Sequence, residues 1–184
     1  MKKVLDAFKR TMELSLQKTK KRVKCWQLDT IGIIRCMVLW MSERYAYILN
    51  NTEKWWNRRR NINGKKLHSF VRKGIVGPKN SKLIIFYLKY PLREIRGYGE
   101  FVERVTGGVD EMWKTYGHET VFESCEEYMN FMNGRAKATF IRFKNLRELA
   151  TPISFDLLSR IVDIERMPQN GKYISEETAN KLIQ

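Results

Sequence analysis

The clearest pattern of hydrophobic and polar positions lies in residues 82–106. Residues 83–88 form an apolar run, Leu-Ile-Ile-Phe-Tyr-Leu, and residues 95–105 alternate in part with charged positions. A run rich in β-branched and aromatic residues is typical of a buried strand, and partial alternation is typical of a half-exposed one. We therefore predict a β-hairpin, with Pro91 in the connection and with Gly97 and Gly99 permitting a bulge that curls the sheet.

The first half of the chain contains further periodic segments. Apolar residues recur at helical spacing over residues 3–18, which predicts an amphipathic helix, and a basic arm follows it. Residues 31–41 are a strand candidate, and Ser42 is expected to cap a helix over residues 43–50. The pattern predicts two parts, an N-terminal helix and arm over residues 1–30 and a folded domain over residues 31–184.

The second half of the chain alternates predicted helices with short strands. A helix is expected over residues 109–116, with Gly117 at its C-terminal end, and another over residues 125–132, capped by Ser124. Residues 137–143 predict a strand with little exposed surface. A helix from Ser154 to about residue 161, a short extended piece at residues 171–174 and a terminal helix capped by Ser175 complete the pattern.

Length and composition narrow the classes of protein. The 184 residues, 43% of them hydrophobic, suffice for a real core. No apolar run is long enough to span a membrane, and the first residues lack the features of a secretory signal, so we expect a cytoplasmic protein without membrane contact. Three widely spaced cysteines predict neither disulfides nor a metal site, and we expect no cofactor.

The positive charge is concentrated in the first part of the chain. Of the formal net charge of +15, residues 1–24 carry +7, residues 25–78 carry +7 and residues 79–184 carry +1. Such a one-sided field attracts polyanions, and nucleic acid is the commonest one in the cytoplasm. A solvated face that only favours solubility is the alternative.

One segment combines this charge with exposed aromatic character. Residues 51–60 read Asn-Thr-Glu-Lys-Trp-Trp-Asn-Arg-Arg-Arg. Neighbouring residues of a strand face opposite sides, so we expect either Trp55 or Trp56 at the surface. An aromatic ring beside cations can stack on a base while the charge holds the backbone. Candidate phosphate contacts are Lys54, Arg58, Arg59, Arg60, Lys65 and Lys66, and Tyr98 is a further stacking candidate.

The order of these parts resembles the ASCH and related EVE domains of the PUA-like superfamily. The resemblance covers residues 35–183 and is similar at its end to small archaeal members of that superfamily. It rests on Phe86-Tyr87, Gly97-Tyr98-Gly99-Glu100, Tyr116-Gly117, residues 126–135 and residues 171–177. The resemblance implies an α+β fold, a PUA-like β-pseudo-barrel with flanking helices, to which this chain adds the N-terminal amphipathic helix.

The resemblance also implies a function and a set of site residues. It implies binding of RNA or modified nucleotides in a cleft beside the barrel. The ASCH signature Gly-x-Lys-x-x-Glu-x-Arg aligns with residues 52–59, which retain its Lys as Lys54 and its Arg as Arg59. Its Glu is replaced by Asn57, and an amide does not titrate and cannot act as a general base. This departure argues against hydrolysis and leaves charge recognition intact.

Three functions therefore follow from the sequence. The leading hypothesis is binding of RNA, favoured over DNA, through a basic cleft that contains tryptophan. The first alternative is an ASCH-type nucleoside amidohydrolase or ribonuclease that uses Lys54 with Glu100. The second is a structural subunit of a ribonucleoprotein assembly that docks on a protein partner through the N-terminal helix. The basic arm, which would add contacts to RNA phosphates, consists of Lys18, Lys20, Lys21, Arg22 and Lys24.

Overall fold

A computed structural model describes residues 43–61 and 66–183. The predicted N-terminal helix and arm, the strand at residues 31–41 and Lys65 lie outside the described residues. The strands are β1 (Ala46–Asn51), β2 (His68–Lys73), β3 (Leu83–Leu88), β4 (Glu94–Gly108), β5 (Lys137–Ser154) and β6 (Lys172–Ile174). The helices are α1 (Glu53–Arg60), α2 (Val109–Tyr116), α3 (Cys125–Met132), α4 (Phe155–Val162) and α5 (Glu176–Ile183).

The six strands form one mixed sheet in the order β2-β5-β4-β3-β1-β6. β1 runs parallel to β3, while the other neighbouring pairs are antiparallel. The long strands β4 and β5 pair along most of their length, with three register shifts that bend the sheet. The result is the predicted α+β fold.

The strands alternate between two sides, as the period of a strand requires. One side forms an inner core, in which Phe70, Phe86 and Phe143 from three strands meet. Side chains from distant strands can meet there only because the sheet curls, which agrees with the predicted pseudo-barrel. Trp56 of α1 packs into this inner core against Phe86, with 5.6 Å between the ring centroids.

Helices cover the opposite side of the sheet in two groups. α4 and α5 pack over Ala46, Ile48 and Ile85. α2 and α3 pack over Val71 and Phe140. α3 and α4 begin as predicted, because Ser124 and Ser154 each accept a hydrogen bond from a backbone N–H three residues on.

The predicted central hairpin is confirmed by β3 and β4. Pro91 lies in the connection, and the register shifts between Phe86 and Tyr87, opposite the Gly97 region. Gly97 is required for close packing, since a Cβ atom there would lie 2.6 Å from Cη2 of Trp56. The glycine thus lets α1 approach the inner side of the sheet.

The predicted helix over residues 43–50 is wrong, because the chain forms strand β1 there. Tyr45, Ile48 and Leu49 imitate helical spacing, but Tyr47, Ile48 and Leu49 are also consecutive strand-forming residues. All six residues of β1 are buried, since packed layers cover both of its sides. The Trp-Trp segment, considered above as a strand, is helix α1.

Candidate functional site

A cleft of about 350 Å³ opens beside the C-terminal end of β1. Its walls come from α1, from β2, from the segment before α3, from α3 itself and from the loop before β6. These segments are far apart in sequence and meet here because the sheet curls and α1 packs across it. The lining residues divide into cations, aromatic rings and amides, described in turn below.

The charged lining of the cleft is entirely positive. Arg59, Arg72, Lys73 and Lys89 line it, and no carboxylate does so among residues 43–61 and 66–183. Arg72 is half-buried, and burial lowers the pKa of its guanidinium. Its Nη2 donates a hydrogen bond of 3.4 Å to the backbone oxygen of Gln169. The cleft therefore favours an anionic ligand.

Arg59 is the most unusual of these cations, because it is only 1% exposed. Its guanidinium lies over the rings of Phe143, Phe70 and Phe86 at 5.1, 5.5 and 6.0 Å. Nη1 donates to the backbone oxygen of Ser69 at 3.3 Å, whereas Nε has no hydrogen-bond partner in the described part of the chain. Burial lowers the pKa of this guanidinium to about 9. A buried cation without a carboxylate is costly unless a ligand supplies the missing negative charge.

Ser69 connects Arg59 to a buried ion pair. The Ser69 hydroxyl donates to Oε2 of Glu119 at 2.6 Å, and Nη2 of Arg142 donates to Oε1 of Glu119 at 2.6 Å. Burial would raise the pKa of Glu119, but the hydrogen bonds from Arg142 and Ser69 outweigh it and lower that pKa. Glu119 is therefore a satisfied carboxylate that holds the strand segment carrying Ser69.

Aromatic side chains form a second wall of the cleft. Trp55 is partly exposed, and its ring meets Phe122 edge-on at 5.0 Å and Phe131 at 6.2 Å. Lys73 Nζ lies 5.0 Å from the centre of the Phe131 ring. The combination of a half-open indole and nearby cations suits stacking on a flat, electron-rich ring.

Two asparagines at the end of β1 supply the polar groups. Nδ2 of Asn50 donates to the backbone oxygens of Pro168 and Gln169 at 2.7 and 2.9 Å, and Oδ1 of Asn51 accepts from Thr52 N at 2.8 Å. Within the described residues, Oδ1 of Asn50 and Nδ2 of Asn51 are buried without partners. One free acceptor and one free donor thus lie at the cleft.

Among the predicted site residues that the structure describes, Trp55 and Arg59 are the ones that line this cleft. Trp56 is 1% exposed and belongs to the inner core, so its ring presents no face to a base. Arg58 Nη1 binds Glu127 at 2.7 Å, and Arg60 Nη1 lies 3.3 Å from Glu148.

The remaining predicted contacts lie elsewhere on the molecule. Tyr98 is half-buried against the core under α4 and α5. Lys66 is exposed, and Lys65 and the basic arm lie outside the described residues. No contact joins the predicted pair Lys54 and Glu100 in the described region. Lys54 Nζ is 3.7 Å from Glu127, while Glu100 accepts from Asn145.

Sequence comparison decides the family. No family model matches the chain. The chain is 30% identical over 122 residues to a protein of Zymomonas mobilis named ASCH domain-containing ribonuclease, and the match covers 66% of this chain and 80% of that protein. The chain belongs to the ASCH domain family. The ASCH part of the sequence prediction is confirmed.

Solved structures agree with this assignment. The crystal structure of ASCH from Zymomonas mobilis matches this ASCH domain with a TM-score of 0.63 and 26% identity, over 76% of this chain and 94% of that one. A serine-to-alanine mutant of the Zymomonas mobilis protein matches with a TM-score of 0.64 and 25% identity, over 77% and 96% of the two chains.

The sequence analysis missed most of the cleft of this ASCH domain. Arg72 and Lys73 were not among the predicted site residues, although both line the cleft from strand β2. The alternation of Phe70 inward and Val71 outward was the available signal. Lys89 and Phe122 gave no local signal, since only the tertiary fold brings them to α1.

Two further observations concern classes of site. No helix in the described region combines the length and apolar character needed to span a bilayer. The described residues also contain no group of three or more His, Cys, Asp or Glu side chains placed to hold a metal ion.

Proposed function

We propose that this ASCH domain binds single-stranded RNA and takes an unpaired nucleotide into the cleft. One observation carries the proposal: the buried guanidinium of Arg59, which has no carboxylate partner among the described residues, lines the same cleft as the partly exposed indole of Trp55. A nucleotide fits both groups, because its negative phosphate attracts the guanidinium and its flat base can stack on the indole.

Each lining group then has a role. Arg72, Lys73 and Lys89 contact phosphates directly, the charge of the buried Arg59 attracts a further phosphate from behind the lining, and Trp55 stacks on the base. The free oxygen of Asn50 and the free amide of Asn51 lie where they can read the edge of a base. Selectivity for single strands follows, because a base within a duplex cannot enter a cleft of this kind without being unstacked.

The residues predicted from the sequence outside the cleft have a lesser role in this proposal. Lys54 Nζ and the guanidinium of Arg58 lie 4.8 and 5.2 Å from the centre of the Trp55 ring. They extend the positive rim and hold the indole in place. Their pairing with Glu127 reduces their share of phosphate binding. Arg60, Lys65, Lys66 and the arm remain candidates for outer contacts.

A second candidate function is cleavage of the bound RNA. The observation that favours it is the name ribonuclease of the relative at 30% identity. In this function the charge of Arg59 would stabilise the additional negative charge that develops on a phosphate under attack. The Lys54 and Glu100 pair does not support this function, since the two side chains contact different partners.

The test is fluorescence anisotropy of a labelled single-stranded RNA, with DNA of the same sequence and an RNA duplex as comparisons. Four phosphate contacts predict that affinity falls about 50-fold between about 50 and 200 mM salt. The double variant Lys73→Gln/Lys89→Gln is expected to reduce both affinity and salt slope. Lys114→Gln/Lys181→Gln removes the same charge from helices that do not line the cleft, and serves as the matched control.

Salt-independent binding, or equal loss in the two double variants, would contradict the proposal. The same samples, run on a denaturing gel after incubation, separate binding from cleavage. Product that forms with the wild-type protein and not with Arg59→Met supports ribonuclease activity. RNA that is bound tightly and stays intact supports the binding function and argues against cleavage.

A further inference from the structure

A second pocket of about 350 Å³ adjoins the cleft. Asn50, Lys89 and Gln169 line both, so the two pockets meet at the end of β1 and β3. The far side of the second pocket is formed by the β3–β4 connection, the start of α4 and the segment before β6. None of the predicted site residues that the structure describes lines it.

An exposed tyrosine stands at this pocket. Tyr90 is 86% exposed, which is unusual for a large aromatic residue beside a buried strand. It lies in a connection that is fixed at both ends, since Lys89 N donates to Asn51 O at 3.0 Å and Phe155 N donates to Arg93 O at 2.8 Å. A ring held on an ordered connection loses little conformational entropy when a flat ligand stacks on it.

The charge of the second pocket is again one-sided. Lys89, Arg93 and Arg166 line it, and no carboxylate does so among the described residues. The guanidinium of Arg93 lies 4.7 Å from the centre of the Phe155 ring, which fixes its position. Arg93 also has a φ of 51°, a left-handed conformation that is uncommon for a residue with a side chain.

We propose that this second pocket binds the nucleotide adjacent to the one in the cleft. Tyr90 stacks on the second base, and Arg93 and Arg166 hold its phosphate. Lys89 and the unpartnered oxygen of Asn50 lie at the boundary, where the connecting backbone passes. This inference rests on the proposed function and makes it more specific: the ligand is RNA with at least two consecutive unpaired nucleotides.

The experiment compares ligands of different length on the full chain. Affinities for uridine 5′-monophosphate and for a uridine hexanucleotide are measured by calorimetry for the wild type, Tyr90→Ala, Tyr90→Trp and Arg166→Gln. Val102→Ala is the control, because Val102 is an exposed hydrophobic residue outside both pockets. A thermal melt of each variant checks that it is folded.

The subsite predicts a split by ligand length. Tyr90→Ala is expected to weaken the hexanucleotide at least about fivefold, because stacking on one base contributes at least about that much. Arg166→Gln is expected to weaken the hexanucleotide and to reduce its salt slope, because one phosphate contact is lost. Both variants should leave the mononucleotide unchanged. Tyr90→Trp is expected to keep wild-type affinity.

One result would refute the second subsite alone, and a different result would refute the proposed function as well. Unchanged hexanucleotide affinity in Tyr90→Ala, or equal weakening of both ligands, refutes the second subsite and leaves the cleft intact. A wild-type protein that binds neither ligand refutes the proposed function and the subsite with it.

Discussion

Replacing Arg59 by methionine separates function from stability. The guanidinium is buried, binds one backbone oxygen and has no carboxylate partner in the described residues. Methionine has a similar length and no charge to bury. We therefore expect Arg59→Met to lose RNA binding while the domain remains as stable as the wild type, or becomes more stable.

The magnitude follows from opposing contributions. Burial lowers the pKa of Arg59 to about 9, and a shift of this size corresponds to an unfavourable burial free energy on the order of 4 to 5 kcal/mol. The hydrogen bond to Ser69 returns about 1.5 to 3 kcal/mol, and the three surrounding rings, at 5.1 to 6.0 Å, return about 0.5 kcal/mol each. The sum is near zero, so the free energy of unfolding should change by between 0 and about +2 kcal/mol.

The assay is urea denaturation of both proteins, with anisotropy of single-stranded RNA on the same samples. Loss of a buried charged contact to phosphate is expected to cost at least about 2 kcal/mol, or roughly 30-fold in affinity. Arg59→Ala is the comparison, because the cavity it leaves should cost about 2 to 5 kcal/mol of stability. A methionine variant that loses several kcal/mol of stability and still binds RNA normally would refute the reasoning.

The pH dependence gives an independent check on Arg59. Its pKa in the folded state is lower than in the unfolded state. As the pH rises above about 9, the unfolded chain therefore holds more protons at this site than the folded chain, and the Arg59 contribution to stability rises with pH. In urea denaturation at increasing pH, the free energy of unfolding of Arg59→Met should therefore lack the rise that Arg59 contributes to the wild type.

Other predictions concern residues around the cleft. Trp55→Ala should weaken binding of single-stranded RNA by about 1 to 3 kcal/mol, whereas Trp56→Ala should lower the free energy of unfolding by about 3 to 5 kcal/mol; anisotropy and urea titration separate them, and the reverse pattern would contradict the assignment of Trp56 to the core. Gly97→Ala should lower the free energy of unfolding by about 1 to 3 kcal/mol, because the added Cβ meets Trp56. Gly108→Ala is the control in the same urea titrations, because the nearest described atom to its added Cβ is a Glu111 oxygen at 4.0 Å. The pKa of Glu119 is lowered below 4.5, so its contribution is present above that pH and lost as the pH falls below it; Glu119→Gln should lose less stability in acid than the wild type, and parallel acid titrations would refute the ion pair.

Local patterns predicted the parts of the fold that depend on local physics. The hairpin of β3 and β4 follows from an apolar run, a proline and two glycines, and α3 follows from the Ser124 cap. β1 could not be recognised in the same way. Its pairing with β3 is parallel and distant in sequence, and Tyr45, Ile48 and Leu49 fit a helix equally well.

The candidate site also combines features that one local segment predicts with features that depend on the tertiary fold. Trp55 and Arg59 belong to one short basic and aromatic segment, so their proximity was visible in the sequence. The different environments of Trp55 and Trp56 were not, because they depend on which side of α1 faces the sheet. Lys89 and Asn50 enter the cleft through the curl of the sheet, which arises from register shifts that no single segment encodes.

The most direct test of RNA binding in the cleft is photocrosslinking of an RNA that contains 4-thiouridine to the full chain, followed by mass spectrometry of the crosslinked peptide. RNA binding in the cleft predicts crosslinks at Trp55 or at Phe122, which meet edge-on in the aromatic wall of the cleft, and their loss in Arg59→Met. Crosslinks confined to residues outside the cleft and the second pocket, or unchanged in that variant, would contradict it.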